Sequence, residues 1–436
     1  MVNETPRRRS WILKALKCFL GGLALLLVLI VARGFVAFKD RFPGYNLDLQ
    51  VASDGSAPLR VGFSRVKITP DLSDPKRPVW LAGFDQHRAA TRVNDDLWAT
   101  ATVIESGSVR IGIVVLDAIG FFNDDVIRVR QRLPADAKLN YVTICSTHNH
   151  STPDIMGLWG PDFRHTGVDP AYLEQVRSAC VTGLTQAAAA LVPARVALHE
   201  IKVDPSGLVT DTRKPVVFDP DIRVMHFTGA DDGKTLGSIV GWGDHPETPW
   251  GRNTEVTSDF CGYLREALEK GVQLDGQTVV PGLGGIHLYV NGSVGGLMTT
   301  SPSVTVTNPF SGKSFQAPSH EKSRALGQQL ASRILPQLKD GSAEFTNQVP
   351  LTVRARTISV RLDNKLYLAA GWLGLLDRGY VGWRKLRSEV AVIRIGEATI
   401  ACVPGEIYPE IVTAASKRPP EAISRSIPSR CHLSEK

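Results

Sequence analysis

Asn140-Tyr141-Val142-Thr143-Ile144-Cys145-Ser146-Thr147-His148-Asn149-His150 is the stretch on which the fold turns. Its first half is apolar and β-branched and predicts a buried strand over 140–144. Its second half turns polar at once and carries two imidazoles one residue apart. A buried strand that ends in chemistry-bearing side chains is the pattern of an α/β sheet, whose ligand sites form beyond the carboxyl ends of strands.

Two other runs repeat the pattern. An apolar strand over 109–116 ends in Asp117, and one over 237–242 runs into Gly243-Asp244-His245-Pro246. Further strands are predicted at 101–104, 195–201 and 286–290, with a hairpin of 390–395 and 398–403 around Gly396-Glu397. Helical patterns fall at 124–133, 170–191, 258–270 and 321–335. The second of these ends in an alanine run, a strong helix former, and Pro193 stops it. Strands and helices interleave without a break. The prediction is an α/β fold, a single large domain with mixed β-sheets flanked by helices.

The chain has 436 residues, 43% hydrophobic and 21% charged. That balance excludes a disordered chain and allows a sizeable core. The net charge of +7 is concentrated at the ends. Arg7, Arg8, Arg9, Lys14 and Lys17 lie at the start, and Lys417, Arg418, Arg425 and Arg430 in the tail. No basic stripe interleaved with aromatics runs through the middle, which argues against nucleic acid as a partner. Cys18, Cys145, Cys180, Cys261, Cys402 and Cys431 form no CxxC pair, so neither a thiolate zinc site nor a disulfide framework is visible.

The first basic cluster precedes a long apolar run from Cys18 to Ala32, interrupted at Arg33 and resumed to Phe38. With Trp11-Ile12-Leu13 it reaches the roughly 20 residues a bilayer needs. The alternatives are a cleaved signal peptide and an uncleaved anchor. The Ile30-Val31-Ala32 end lacks a small-x-small cleavage pattern, which favours the anchor. The positive flank then stays cytoplasmic and the rest is exported, to the periplasmic or extracellular side. The expected organisation is a basic end over 1–10, a transmembrane signal-anchor over 11–38, a polar linker over 39–58, the folded domain over 59–412 and a disordered basic tail over 413–436.

His148 and His150 are either metal-binding or hydrogen-bonded polar residues at a strand end; the pair alone leaves both open. If the segment stays extended, alternate residues point the same way and both rings face one cleft. Asp117 either orients a ligating histidine or caps a turn. Glu406, after the apolar run 398–403, is by itself a loop carboxylate. Two histidines and a glutamate are nevertheless the ligand set of many catalytic zinc sites. Zinc acidifies water and polarises a carbonyl, chemistry suited to amide or ester hydrolysis. The Gly-rich stretches at 282–285 and 292–296 match neither nucleotide-binding pattern, and close backbone packing beside a cleft accounts for them.

In order, Leu81-Ala82-Gly83-Phe84, Asn94-Asp95-Asp96-Leu97, Leu116-Asp117, Thr147-His148-Asn149-His150-Ser151, Trp242-Gly243-Asp244-His245, Asn291-Gly292-Ser293-Val294-Gly295-Gly296 and Pro404-Gly405-Glu406 resemble the landmarks of the neutral/alkaline non-lysosomal ceramidase family. The resemblance implies hydrolysis of the N-acyl bond of ceramide, or of a related N-acyl lipid, with a zinc ion. It implies His148, His245 and Glu406 as Zn2+ ligands and His150 as a neighbour that assists proton transfer or stabilises an oxyanion. Asp117 is expected to support the metal shell. Two features depart from the family. Its serine, in a Gly-Asp-x-Ser-Pro-like motif, is replaced by Gly295, with Ser293 nearby. Its tyrosine ligand lies well after the glutamate, beyond the last residue of this C-terminally short sequence. A non-catalytic binding protein, a zinc hydrolase of another amide or ester, and a serine hydrolase using Ser293 are the other readings these residues allow; no Gly-x-Ser-x-Gly elbow supports the last.

Overall fold

The structure is a computed structural model that describes residues 5–54, 57–274, 276–296 and 298–416. It opens with helix α1 (Thr5–Ala37). Its Leu13–Ala37 stretch has a mean hydropathy of 2.5 and is the one helix among the described residues long and apolar enough to cross a membrane.

The body is built on an eight-stranded mixed sheet. In chain order the elements are β1 (Asp48–Ala52), β2 (Arg60–Lys67), β3 (Trp98–Ser106), β4 (Val109–Leu116), α2 (Asn123–Arg132), β5 (Tyr141–Ser146), α3 (Pro170–Ala189), β6 (Val192–Ile201), β7 (Ile222–Gly229), β8 (Thr235–Trp242), α4 (Asp259–Lys270), β9 (Ile286–Asn291), α5 (His320–Lys339), β10 (Leu351–Arg361), α6 (Lys365–Leu373), β11 (Tyr380–Gly382), β12 (Lys385–Ile395), β13 (Ala398–Cys402) and α7 (Pro409–Ser416). The large sheet has the order β9-β8-β7-β6-β2-β3-β4-β5. Its two outermost pairs, β4/β5 and β8/β9, are parallel, and the strands between them are antiparallel.

Alternation along each strand divides the apolar side chains between cores. Ile111, Ile113 and Val115 face one core, while Val114 and Leu116 face another. Ile239 and Leu288 enter the first core, whereas Val240, Trp242 and Tyr289 enter a third. Both faces are covered, so the strands read as nearly unbroken apolar runs. The shared inner core is closed by a second, antiparallel sheet of β1, β10, β12, β11 and β13, which contributes Leu351, Val353, Ala355, Ala391, Ile393 and Ile395. The outer faces are covered by α3 on one half and by α4 and α5 on the other.

Local chemistry starts and stops these helices. Asp169 accepts from the Ala171 N–H at the head of α3, with Pro170 in the first turn. A side chain at Gly62 of β2 would meet Ala187 of α3 at 2.0 Å, so the helix can lie on the sheet only over a glycine.

The segment expected to be a linker contains β1, which pairs in register with β10. Its signal, Leu47, Leu49 and Val51 in alternation, is short and flanked by turn formers; all three pack on the inner core. Strands β7 and β10 were likewise not expected. The chain after 412 continues as helix α7 through Ser416; residues 417–436 of the expected tail lie outside the described residues.

Candidate metal centre

The parallel pairs β4/β5 and β8/β9 stand at opposite ends of the strand order, yet their carboxyl ends meet. Asn291, ending β9, donates through Nδ2 to Thr147 O at 2.8 Å and to Asp244 O at 2.9 Å. The His150 N–H donates to Pro246 O at 2.9 Å. The sheet thus curls until its edges deliver His148 and His150 from one side and His245 from the other. The ring centroids lie 4.9 Å apart for His148 and His245, 5.1 Å for His148 and His150, and 5.5 Å for His150 and His245. One ligand atom from each of the three histidines lies within 4.8 Å of the others.

His148 and His150 share a cleft, but not through strand alternation. β5 stops at Ser146, and His148 sits in the left-handed region at φ 67°. Such backbone is uncommon for a residue with a Cβ and clusters at functional sites.

The rings of His148 and His245 are each oriented by a backbone carbonyl. His148 Nδ1 lies 2.8 Å from Ile119 O, and His245 Nδ1 lies 2.7 Å from Met298 O. A carbonyl only accepts, so Nδ1 carries the proton and Nε2 faces the cleft. There the two Nε2 atoms straddle one carboxylate, at 3.2 Å from Glu406 Oε1 and 3.5 Å from Glu406 Oε2. Burial works against the Glu406 charge, but hydrogen bonding to His148 and His245 overrides it and holds the carboxyl well below the usual carboxylate range. Burial alone would depress the His245 pKa; Glu406 and the charge of Glu247 outweigh it and raise it.

Glu406 arrives from the second sheet, on the segment after β13. Gly295 anchors that segment, its N–H donating to Ile407 O at 2.9 Å. A side chain at Gly295 would come within 2.8 Å of the Ile407 carbonyl carbon and 2.9 Å of Glu406 O. The serine expected at this place in the family therefore has no room here. Ser293 is buried, and its hydroxyl has no hydrogen-bond partner among the described residues.

His150 is seated differently. A side chain at Gly83 would strike His150 Cγ at 2.4 Å, and Phe84 meets the ring edge-on at 5.2 Å. The buried Arg88 donates to the carbonyls of Ala82 and His150. Glu247 Oε2 lies 3.0 Å from His150 Nδ1, and neither ring nitrogen makes a well-aligned hydrogen bond among the described residues. Burial drives the His150 pKa down to about 4, so the ring is neutral at pH 7.

Asp117 is not where the sequence reading puts it. Its carboxylate takes both Arg265 guanidinium nitrogens, at 2.9 and 2.7 Å, and the Trp98 N–H at 2.9 Å. Among the described residues it makes no hydrogen bond or ion pair with the three histidines; the orienting role expected of it is filled by the carbonyls of Ile119 and Met298. A strand-end carboxylate serves a metal shell or a buried arginine equally well, and only the fold brings Arg265 beneath it. Glu247 and Arg88 were missed. Glu247 lies two residues past His245, and that spacing was the available signal. Arg88 carried none.

The residues fit a divalent metal. Two imidazole Nε2 atoms and a carboxylate converge on one point, and a third imidazole stands beside it, the donor set of a divalent cation site.

No family model matches the sequence, and no curated protein matches it. Among solved structures, the crystal structure of neutral ceramidase from Pseudomonas aeruginosa superposes with a TM-score of 0.61 at 17% identity, covering 80% of this chain and 62% of that one. A ceramidase complexed with C2 gives a TM-score of 0.61 at 15% identity, covering 80% of this chain and 64% of that one. The chain thus spans less than two thirds of the length of either structure. By its fold, this chain is similar to the neutral ceramidases.

Proposed function

We propose that the protein is a membrane-anchored, metal-dependent hydrolase of an amide bond, with the N-acyl bond of ceramide or a related N-acyl lipid as substrate. The observation that carries the reading is the pair His148 and His245, each locked by a backbone carbonyl and each presenting Nε2 to the single carboxylate of Glu406. These three residues would hold Zn2+, which supplies Lewis acidity that acidifies water and polarises a carbonyl. His150, neutral and backed by Glu247, accepts or relays a proton at its cleft-facing nitrogen. Phe84, packed on His150, and Trp250, 5.5 Å from Phe84, give the wall an apolar character that excludes water. The ceramidase fold and the apolar α1 helix support a lipid substrate. The same helix supports the anchor and an exported domain.

The test is metal content of the full-length protein in detergent, wild type beside His148→Asn, followed by a panel of N-acyl lipids. About one zinc per chain, lost in the variant, with release of fatty acid by the wild type, is expected. A folded wild type that takes up no metal from added zinc overturns the reading. Gly295 in the serine's place favours a second reading, a metal-holding protein that binds lipid without cleaving it. It is what remains if the loaded protein binds these lipids and releases no fatty acid.

A further inference from the structure

Helix α1 does not end in free chain. Ala37 and Phe38 are buried in a small apolar cluster with Leu362, Ala370, Leu376 and Tyr380. The Phe38 ring meets Tyr380 edge-on at 4.9 Å and Trp383 at 4.7 Å. Arg33 lies over Gly374, where a side chain would come within 2.5 Å of its guanidinium. The end of the apolar span is therefore packed against α6 and the β11–β12 turn.

That neighbourhood is apolar on its outside as well. Helix α6 reads Lys-Leu-Tyr-Leu-Ala-Ala-Gly-Trp-Leu, capped by Asn364, whose side chain accepts from the Leu366 and Tyr367 N–H groups, and closed by Gly374 at φ 86°. It leaves Leu366 78% and Leu373 45% exposed, with Tyr367 at 45% and Trp383 at 63%. Scattered surface leucines need no explanation, but a charge-poor helix and a tryptophan gathered at the foot of an apolar span do. Tryptophan and tyrosine concentrate at the membrane–water boundary, and lysines there face the headgroups; Lys39, Lys365 and Lys385 are all exposed.

We propose that α6 and Trp383 insert into the interfacial zone of the leaflet from which α1 emerges, so that the folded domain lies on the bilayer. The occupant of this surface is lipid. The inference rests on reading α1 as a membrane anchor. It also ties the membrane to the metal centre. The Arg378 guanidinium, just past α6, donates to Ile155 O at 2.6 Å, in the loop that follows His150. Phe122 packs on the same cluster, three residues after Ile119, whose carbonyl orients His148. A lipid substrate would then reach the cleft from the bilayer surface without crossing bulk water.

The experiment uses the full chain reconstituted in phosphatidylcholine vesicles whose acyl chains carry bromine, a quencher of tryptophan fluorescence. Wild type is compared with Trp383→Phe and Trp11→Phe, the latter at the far end of α1. The expected result is that each substitution lowers the quenched share of the emission. If only Trp11→Phe lowers it, the anchor stands and the α6 surface is overturned. If neither does, the anchor itself fails. If Trp383 is shielded from both the bromolipid and aqueous acrylamide, a second copy of the chain covers it, and the lipid proposal is again overturned.

Discussion

Glu247 Oε2 lies 3.0 Å from His150 Nδ1, and both side chains are almost fully buried. The carboxylate stands on the Nδ1 side of the ring and leaves the opposite nitrogen for the cleft. Burial favours a neutral Glu247, but His150 beside it reverses the balance and keeps the carboxyl below its usual range. Glu247→Gln should therefore weaken metal retention or turnover by about 10–100-fold while the protein stays folded. Competition with a chelator, read beside thermal unfolding, checks this. Unchanged metal affinity and turnover would remove Glu247 from the site.

Asp117 and Arg265 make the opposite prediction. Both are buried, and the bidentate pair satisfies each. Asp117→Asn leaves the arginine charge without its partner in the interior, at a cost of about 3–5 kcal/mol of stability. The metal content of the protein that remains folded should match wild type. Urea unfolding and elemental analysis separate the two effects, and loss of metal without loss of stability would return Asp117 to the metal shell.

Gly295→Ser tests whether the family serine can be restored. The new Cβ would press on Glu406 O and the Ile407 carbonyl. The segment carrying Glu406 should shift, and metal affinity should fall by at least about tenfold rather than activity rising. A serine variant with wild-type affinity and faster hydrolysis would show that the loop yields.

The buried histidines outside the centre give a pH dependence. Burial lowers His226 from 6.5 to about 4, and His287 likewise to about 4. Between those values the unfolded chain binds more protons than the folded one, so stability rises with pH. It is fully present above 6.5 and is lost as pH falls toward 4, at about 1.4 kcal/mol per pH unit for each histidine. Unfolding in urea at pH 7 and pH 5 measures the slope. His287→Asn should make it shallower by one histidine's share, and an unchanged slope would count against this assignment.

Much of the fold was legible because its signals are local. The run Val109 to Leu116 is apolar on both faces, the alanine-rich end of α3 is strongly helical, and Gly396-Glu397 breaks a hairpin. Each of these depends only on neighbours in the chain, and the elements fall where the patterns put them. β1 was missed because its partner lies some 300 residues away, Asp48 opposite Arg356, and a single strand's alternation is weak when its partner is unknown.

The sequence by itself determined which residues stand at strand ends and therefore at the rim of the sheet: His148 and His150 after β5, His245 after β8, Glu406 after β13. Only the tertiary structure decided which of them meet. The curl that joins the two parallel edges through Asn291 and Thr147, and the second sheet that brings Glu406 beneath the histidines, are long-range packing. So is the arginine that takes Asp117 away from the centre. Side-chain chemistry is written residue by residue, but a binding site is a set of distances. Those distances follow from how the cores close, which no short stretch of the chain specifies.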